Sequence, residues 1–438
     1  GWSGDISVFS PTATYLSNAD QFMTRHLQSM RDVQDASGRF TDIAPIGGGF
    51  GGILWGSAGI TIPWETYQQY GDLELLRLHY KAMVAYIDYL NDNIDKSTGR
   101  IADSALGDWL GPQNNQLGSA FPAAAYHIYD LGILIKVATL LGNTADAQRF
   151  EKMQEDRKTF FNKTFVNADS KTVGLIGGLG FGAPRDAKAE FNEADLQTAY
   201  AVGLALGAFS KENIPVMRQH LLATVQRENK DDSGIMRPPY SLMTGFIGTS
   251  WISKALSDCG YSDAAYRLLQ TETYPSWLYP VNQGATTIWE RLNGYTVENG
   301  FGGHNTMNSF NHYSFGAVGR WMIAYSLGIQ RDEPGFHHFI LQPEQDPSGQ
   351  MTHAEGYYDS PYGRIESAWS VTDGVLTYTA TVPANTTAHL YLPAQSAKSV
   401  TEGGTSALRV SGVKFLRFEN GKAVYQLQSG HYSFRTTL

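Results

Sequence analysis

Residues 64–91 read WETYQQYGDLELLRLHYKAMVAYIDYLN. Apolar side chains recur through this stretch at three- and four-residue intervals, the period of a helix that buries one face. Gly71 interrupts the run, so it reads as two helices joined by a break. The same spacing returns in 12–34, 117–142, 144–163, 193–208, 213–228, 244–259, 261–272 and 307–328. Pro63 and Pro122 fall near expected helix starts and Gly260 near a stop. Roughly ten helices in antiparallel pairs, with the chemistry in their connections, predict an (α/α) toroid. Glycine-rich segments, Gly47–Gly52 and Gly177–Gly182, lie between helices. Neither carries the Lys-Ser/Thr of a phosphate loop, so both read as flexible loops on the active face.

Near residue 330 the helical period gives way to alternation. Segments 365–371, 375–382 and 387–392 alternate apolar and polar side chains, and turn residues lie at 372–374 and 383–385. These are half-buried antiparallel strands. The expected organisation is a helical domain over 1–330 and a small antiparallel β-sandwich over 331–438, the latter a structural cap.

Composition narrows the function. The chain has 438 residues, 42% of them apolar and 17% charged, with a net charge of −9. Length predicts two or three domains. An acidic balance argues against nucleic acid, whose binding needs basic patches. The single cysteine, Cys259, excludes an internal disulfide framework and reads as a small buried hydrophobe, but leaves the compartment open. No apolar run is read as a membrane span. The histidines show no ligand spacing, so no metal or cofactor is expected.

The chemistry concentrates in 281–319, VNQGATTIWERLNGYTVENGFGGHNTMNSFNHYSFGAVG. Glu290 follows Trp289, and His312 and Tyr313 come after a second run rich in aromatics and Asn. A carboxylate among aromatics is partly desolvated, which suits acid–base work on a sugar. Arg291 offers an ion pair as the alternative. Trp2 and Asp5 in Gly1–Asp5, Trp55, Ser57 and Trp64 in 54–64, and Asp108 and Trp109 in 107–112 complete the candidates, with His304 a weaker one. Trp64 also reads as helix-start core, Asp108 as a turn residue and His312 as a core histidine.

Taken together these segments resemble glycoside hydrolase family 78, the bacterial α-L-rhamnosidases. Further matches are 244–249, 274–277 and 358–363, so the resemblance covers nearly the whole chain. It implies an (α/α)6 barrel followed by a β-sandwich, and inverting hydrolysis of terminal α-L-rhamnose from glycans or glycosides. In the family, Glu290 corresponds to the base that activates water. Trp2, Asp5, Trp55, Ser57, Trp64, Asp108, Trp109, Trp289 and His312 correspond to the sugar site, expected on one face. Gly1–Asp5 resembles the tail of a longer family motif whose Glu is the general acid, so that acid and the first barrel helix are expected upstream of Gly1. Where the family has an Asp, this chain has Ser57, and Ser57→Asp is expected to keep or improve sugar affinity. Two other classes remain open: a non-catalytic glycan-binding relative, and a toroid polysaccharide lyase using Tyr313, His312 and Asn311.

Overall fold

The computed structural model describes residues 1–103, 105–176, 190–302 and 305–438. These divide into two compact units. One comprises Gly1–Ser10, Phe22–Trp64 and Glu74–Val318; the other Pro11–Gln21, Glu65–Leu73 and Gly319–Leu438. The second unit takes in the chain from Gly319 onward, together with two helical segments from early in the chain. Loop 177–182 and His304 lie outside the described residues.

The first unit draws on helices α1 (Ser3–Leu16), α2 (Asp20–Asp32), α3 (Ile53–Gly56), α4 (Ala58–Tyr70), α5 (Leu73–Asp92), α6 (Asn114–Leu117) and α7 (Ala120–Leu140). They are followed by α8 (Thr144–Phe165), α9 (Gln197–Ala205), α10 (Ile214–Gln226), α11 (Phe246–Asp258), α12 (Ser262–Gln270) and α13 (Leu278–Asn282). Among the described residues two short antiparallel strand pairs interrupt them, β1 (Val173–Ile176) with β2 (Glu190–Glu193), and β3 (Asn229–Lys230) with β4 (Met236–Arg237). Successive helices pack as hairpins, α7 on α8, α9 on α10 and α11 on α12. The stripe of α5 shows why. Leu75, Leu76, His79, Tyr80, Met83, Tyr86, Ile87 and Leu90 are buried, at the spacing that keeps one face inward. Burying each such Leu or Ile is worth about 1.5–3 kcal/mol.

Three local expectations change. Pro63 is inside α4 rather than at its start; the turn α3 runs almost directly into α4, with Ser57 N donating to Ile53 O and Thr61 N to Ser57 O. Residues 308–313 are not helical; a single 3-10 turn, Asn305–Met307, precedes them and helix-like turns resume at Ser314. Helix α7 is long and apolar enough to cross a membrane by length and composition, contrary to the sequence reading; two-thirds of it is buried inside the protein, as in a core helix. Cys259 is half-buried at the end of α11.

The second unit holds α14 (Gly319–Trp321) and strands β5 (Ile329–Arg331), β6 (His338–Leu341), β7 (His353–Ser360), β8 (Gly363–Thr372), β9 (Val375–Val382) and β10 (Thr387–Pro393). Strands β11 (Thr401–Glu402), β12 (Thr405–Ser406), β13 (Val413–Glu419), β14 (Lys422–Leu427) and β15 (Gly430–Thr437) complete it. One sheet has the order β13-β14-β10-β6-β5, the other β12-β11-β15-β9-β8-β7. All pairings are antiparallel except β6–β10, which is parallel. Burial in β9 alternates with period two, and Tyr425 of one sheet stacks on Phe434 of the other at 6.1 Å. The turns expected at 372–374 and 383–385 hold Asp373 and Asn385 at positive φ. Pro11–Gln21 joins this unit because Tyr15 donates to Ile329 O at 3.0 Å and meets Phe336 and Tyr358 edge-on. Glu65 joins it through a 2.7 Å ion pair with Arg331.

Candidate active site

Two segments beyond α13 pair along their backbones. Glu290 N donates to Ser309 O and His312 N to Ile288 O, both at 2.8 Å. Arg291 N donates to Asn308 Oδ1 at 3.1 Å, and its Nε to Met307 O at 2.9 Å. These bonds explain why 308–313 is not helical: its backbone groups are already committed to 287–291. They also explain the twenty-two-residue spacing, because the ribbon sets Glu290 and His312 on the same wall. Trp289, next to Glu290, points elsewhere, as neighbours on an extended chain do. It is buried edge-on against Phe310 at 5.1 Å and pins the ribbon.

The wall bounds a cavity of about 390 Å³ within the helical unit, lined by Trp2, Asp5, Phe50, Trp55, Leu106, Trp109, Glu290, Met307 and His312. Its size suits a small molecule, and its make-up, apolar walls with a few convergent polar groups, is that of a binding site. Glu290 is half-buried, and among the described residues its carboxylate has no hydrogen bond or ion pair; Arg291 is turned to Met307 O instead. A carboxylate held by its backbone, with its oxygens unclaimed, can accept a proton from water.

Asp5 sits in the first turn of α1 and is buried. Its Oδ1 lies 3.0 Å from His312 Nε2 and accepts from Ser314 Oγ at 3.3 Å. Ser314 N donates to His312 Nδ1 at 3.4 Å, which leaves the proton on Nε2, pointed at Asp5. Both ring nitrogens of His312 are thus committed, and the ring packs on Phe246 at 5.0 Å. The histidine orients Asp5, whose Oδ2 has no hydrogen bond among the described residues.

Aromatic walls come from three places. The Trp55 indole is clamped between Gly4 and Gly51, where a Cβ would come within 2.6 and 2.7 Å of the ring. Trp2 meets Phe50 edge-on at 5.5 Å. Trp109 lines both this cavity and a neighbouring polar one of about 320 Å³ that includes Asp231, Asp232, Tyr274 and Arg291.

Four candidates do not line the cavity. Trp289 is the pin just described. Trp64 lies in α4 with Lys136 Nζ 5.5 Å above its ring. Asp108 is buried and accepts from Gly245 N and Gly248 N, each at 2.8 Å, and from Thr198 Oγ1. It therefore caps the N-terminus of α11. Ser57 is fully buried and donates to Asp130 in α7. Tyr313, named for lyase chemistry, packs on Phe9 at 4.9 Å and does not line the cavity. Phe50, Leu106 and Met307 were missed from sequence. The Gly47–Gly52 loop flagged the region of Phe50 and the 281–319 stretch that of Met307, but neither residue was singled out, and Leu106 lies just before the quoted 107–112 segment.

Ser57 yields a prediction opposite in sense to the sequence-based one. Burial holds the Asp130 carboxyl well above the usual carboxylate range. A second carboxyl at 57 must then share its proton or bury a charge. Ser57→Asp is expected to cost about 3 kcal/mol of stability. Thermal melting with sugar titration is the measurement; an unchanged melting point with tighter sugar binding would restore the sequence-based expectation.

Two family models match the chain. Residues 1–325 match the bacterial alpha-L-rhamnosidase 6 hairpin glycosidase domain and residues 328–407 the bacterial alpha-L-rhamnosidase C-terminal domain. An alpha-L-rhamnosidase of Streptomyces avermitilis is 34% identical over 437 residues, 99% of this chain and 38% of that protein. One from Formosa agariphila is 30% identical over 444 residues, 99% of this chain and 44% of that protein. The crystal structure of the S. avermitilis enzyme complexed with L-rhamnose superposes with a TM-score of 0.85 at 32% identity, covering 100% of this chain and 38% of that one. An alpha-L-rhamnosidase structure from Dictyoglumus thermophilum gives 0.84 at 27% identity, covering 100% and 46%. The chain thus spans less than half the length of these relatives.

Proposed function

The chain belongs to the bacterial α-L-rhamnosidase family of six-hairpin glycosidases, and from that membership we propose that it serves the inverting hydrolysis of terminal α-L-rhamnosides, with Glu290 as the general base. The observation that carries this reading is the unclaimed Glu290 carboxylate on the wall of a cavity faced by Trp2, Trp55 and Trp109. In the proposed reaction the sugar's C–H face packs on an indole, and Asp5, oriented by His312, accepts a hydroxyl. Glu290 takes a proton from the water that attacks the anomeric carbon. Inversion needs room for that water, with the two carboxyl groups roughly 6.5–9.5 Å apart. The other cavity carboxylate, Asp5, is held by His312 and Ser314 and is assigned to binding the sugar, not to protonating the leaving group. The polar cavity beyond Trp109 is assigned to the leaving group.

Proton NMR of an aryl α-L-rhamnoside, incubated with the protein that contains residues 1–438, tests this directly. The first rhamnose released is expected as the β anomer. First appearance of the α anomer would remove Glu290 as base. Tight binding without turnover would favour the glycan-binding reading, and an ultraviolet-absorbing unsaturated product the lyase.

A further inference from the structure

Strands β6 and β10 run parallel, with Thr387 opposite His338 and His389 opposite Ile340. In that register His338, Thr387 and His389 rise from the same face of the sheet. The two imidazoles meet edge to face, 4.4 Å between ring centres. Asp332, in the turn that follows β5, brings its Oδ2 to 3.4 Å from His338 Nε2. One ligand atom from each of Asp332, His338 and His389 lies within 4.8 Å of the other two.

We propose that Asp332, His338 and His389 form a site for a divalent transition-metal ion of the zinc type, independent of the sugar chemistry. Ligand atoms about 2.0–2.2 Å from a tetrahedral ion stand ~3.3–3.6 Å apart, the spacing of the Asp332–His338 pair. Nδ1 of His338 lies 2.6 Å from Thr387 Oγ1. With Nδ1–H donating there, the ring is fixed and the Nε2 lone pair is left toward Asp332, the second-shell arrangement typical of metal-bound histidine. His338 Nε2 is buried and has no hydrogen bond among the described residues, a costly condition that a cation would relieve. An ion pair alone would explain Asp332 and His338, but not the convergence of His389 on the same point. The nearby cation Arg417 is engaged by Glu419 at 2.8 Å and by Tyr391 at 3.1 Å. Asp332 is exposed, so the site opens to solvent. Two imidazoles and one carboxylate suit zinc, cobalt or nickel, whereas calcium and magnesium take oxygen ligands. Bound there, the ion would clip the β5–β6 turn to β10 and stabilise the folded sheet by mass action.

The test uses untagged protein freed of metal by a chelator and titrated with Zn²⁺ by calorimetry, and with Co²⁺ by visible absorption. One equivalent is expected to bind and to raise the melting temperature. His389→Ala should weaken binding by at least the ~10–100-fold seen when a second-shell partner is lost. Asp332→Asn, at an exposed position, keeps the test valid if the histidine variant folds poorly. No saturable uptake, or equal uptake by the parent and both variants, would overturn the proposal.

Discussion

Glu290→Gln is expected to lower turnover of an aryl α-L-rhamnoside by about 10²–10⁴-fold, the range of general acid–base catalysis, and to change KM far less. Three features make this substitution a clean probe. The residue is held through its backbone, Glu290 N to Ser309 O, so the pose does not depend on the carboxylate. The neighbouring Trp289 pins the ribbon against Phe310 whatever stands at 290. The carboxylate has no partner among the described residues that an amide would leave unsatisfied. An amide keeps the size and the reach but cannot take the proton of water. The variant should therefore melt like the parent and still bind sugar. A loss confined to kcat is the signature of an interaction made only in the transition state. Turnover within a few-fold of the parent would show that another group activates the water.

The main elements were legible because burial acts on them locally. In α5 the inward residues recur every three or four positions, and in β9 every two, so one chain segment reports its own structure. Residues 308–313 defeated that reading. Their apolar spacing continues into a helix, but their backbone groups pair with 287–291, a partner that no local period reveals. The parallel β6–β10 pair was hidden for the same reason: nearly fifty residues separate its two strands.

Site residues were legible in type and less so in direction. Glu290, Trp2, Asp5, Trp55, Trp109 and His312 do line one cavity. Asp108 and Trp109 are adjacent, yet one caps a helix while the other faces the cavity. Ser57 is buried because its partner, Asp130, comes from a helix seventy-three residues on. A carboxylate or hydroxyl in a motif announces that a polar contact is needed. It does not announce whether the contact is a substrate or a distant backbone.

Asp108 turns that distinction into the second large prediction. Its carboxylate accepts the amides of Gly245 and Gly248 at the start of α11, where the helix presents unpaired N–H groups and its positive end. Burial pushes the carboxyl up, against the amides and Thr198 that hold it. Phe246 N also donates to Trp109 O at 2.9 Å, and Gly245 packs so closely that a Cβ there would come within 2.2 Å of that same oxygen. The cap and the cavity wall are therefore one joint. Asp108→Ala removes an acceptor from at least two buried amides, each worth about 1–3 kcal/mol when left unpaired, so a loss of about 3–5 kcal/mol is expected. Thermal melting should fall by on the order of 5–10 °C. Trp109, no longer held by a capped helix, should drift, and at a temperature where the variant is folded KM should rise more than kcat falls. A direct sugar ligand would give another pattern: an unchanged melting point with weakened binding. That outcome would move Asp108 from the helix end into the cavity and overturn the capping role assigned to it.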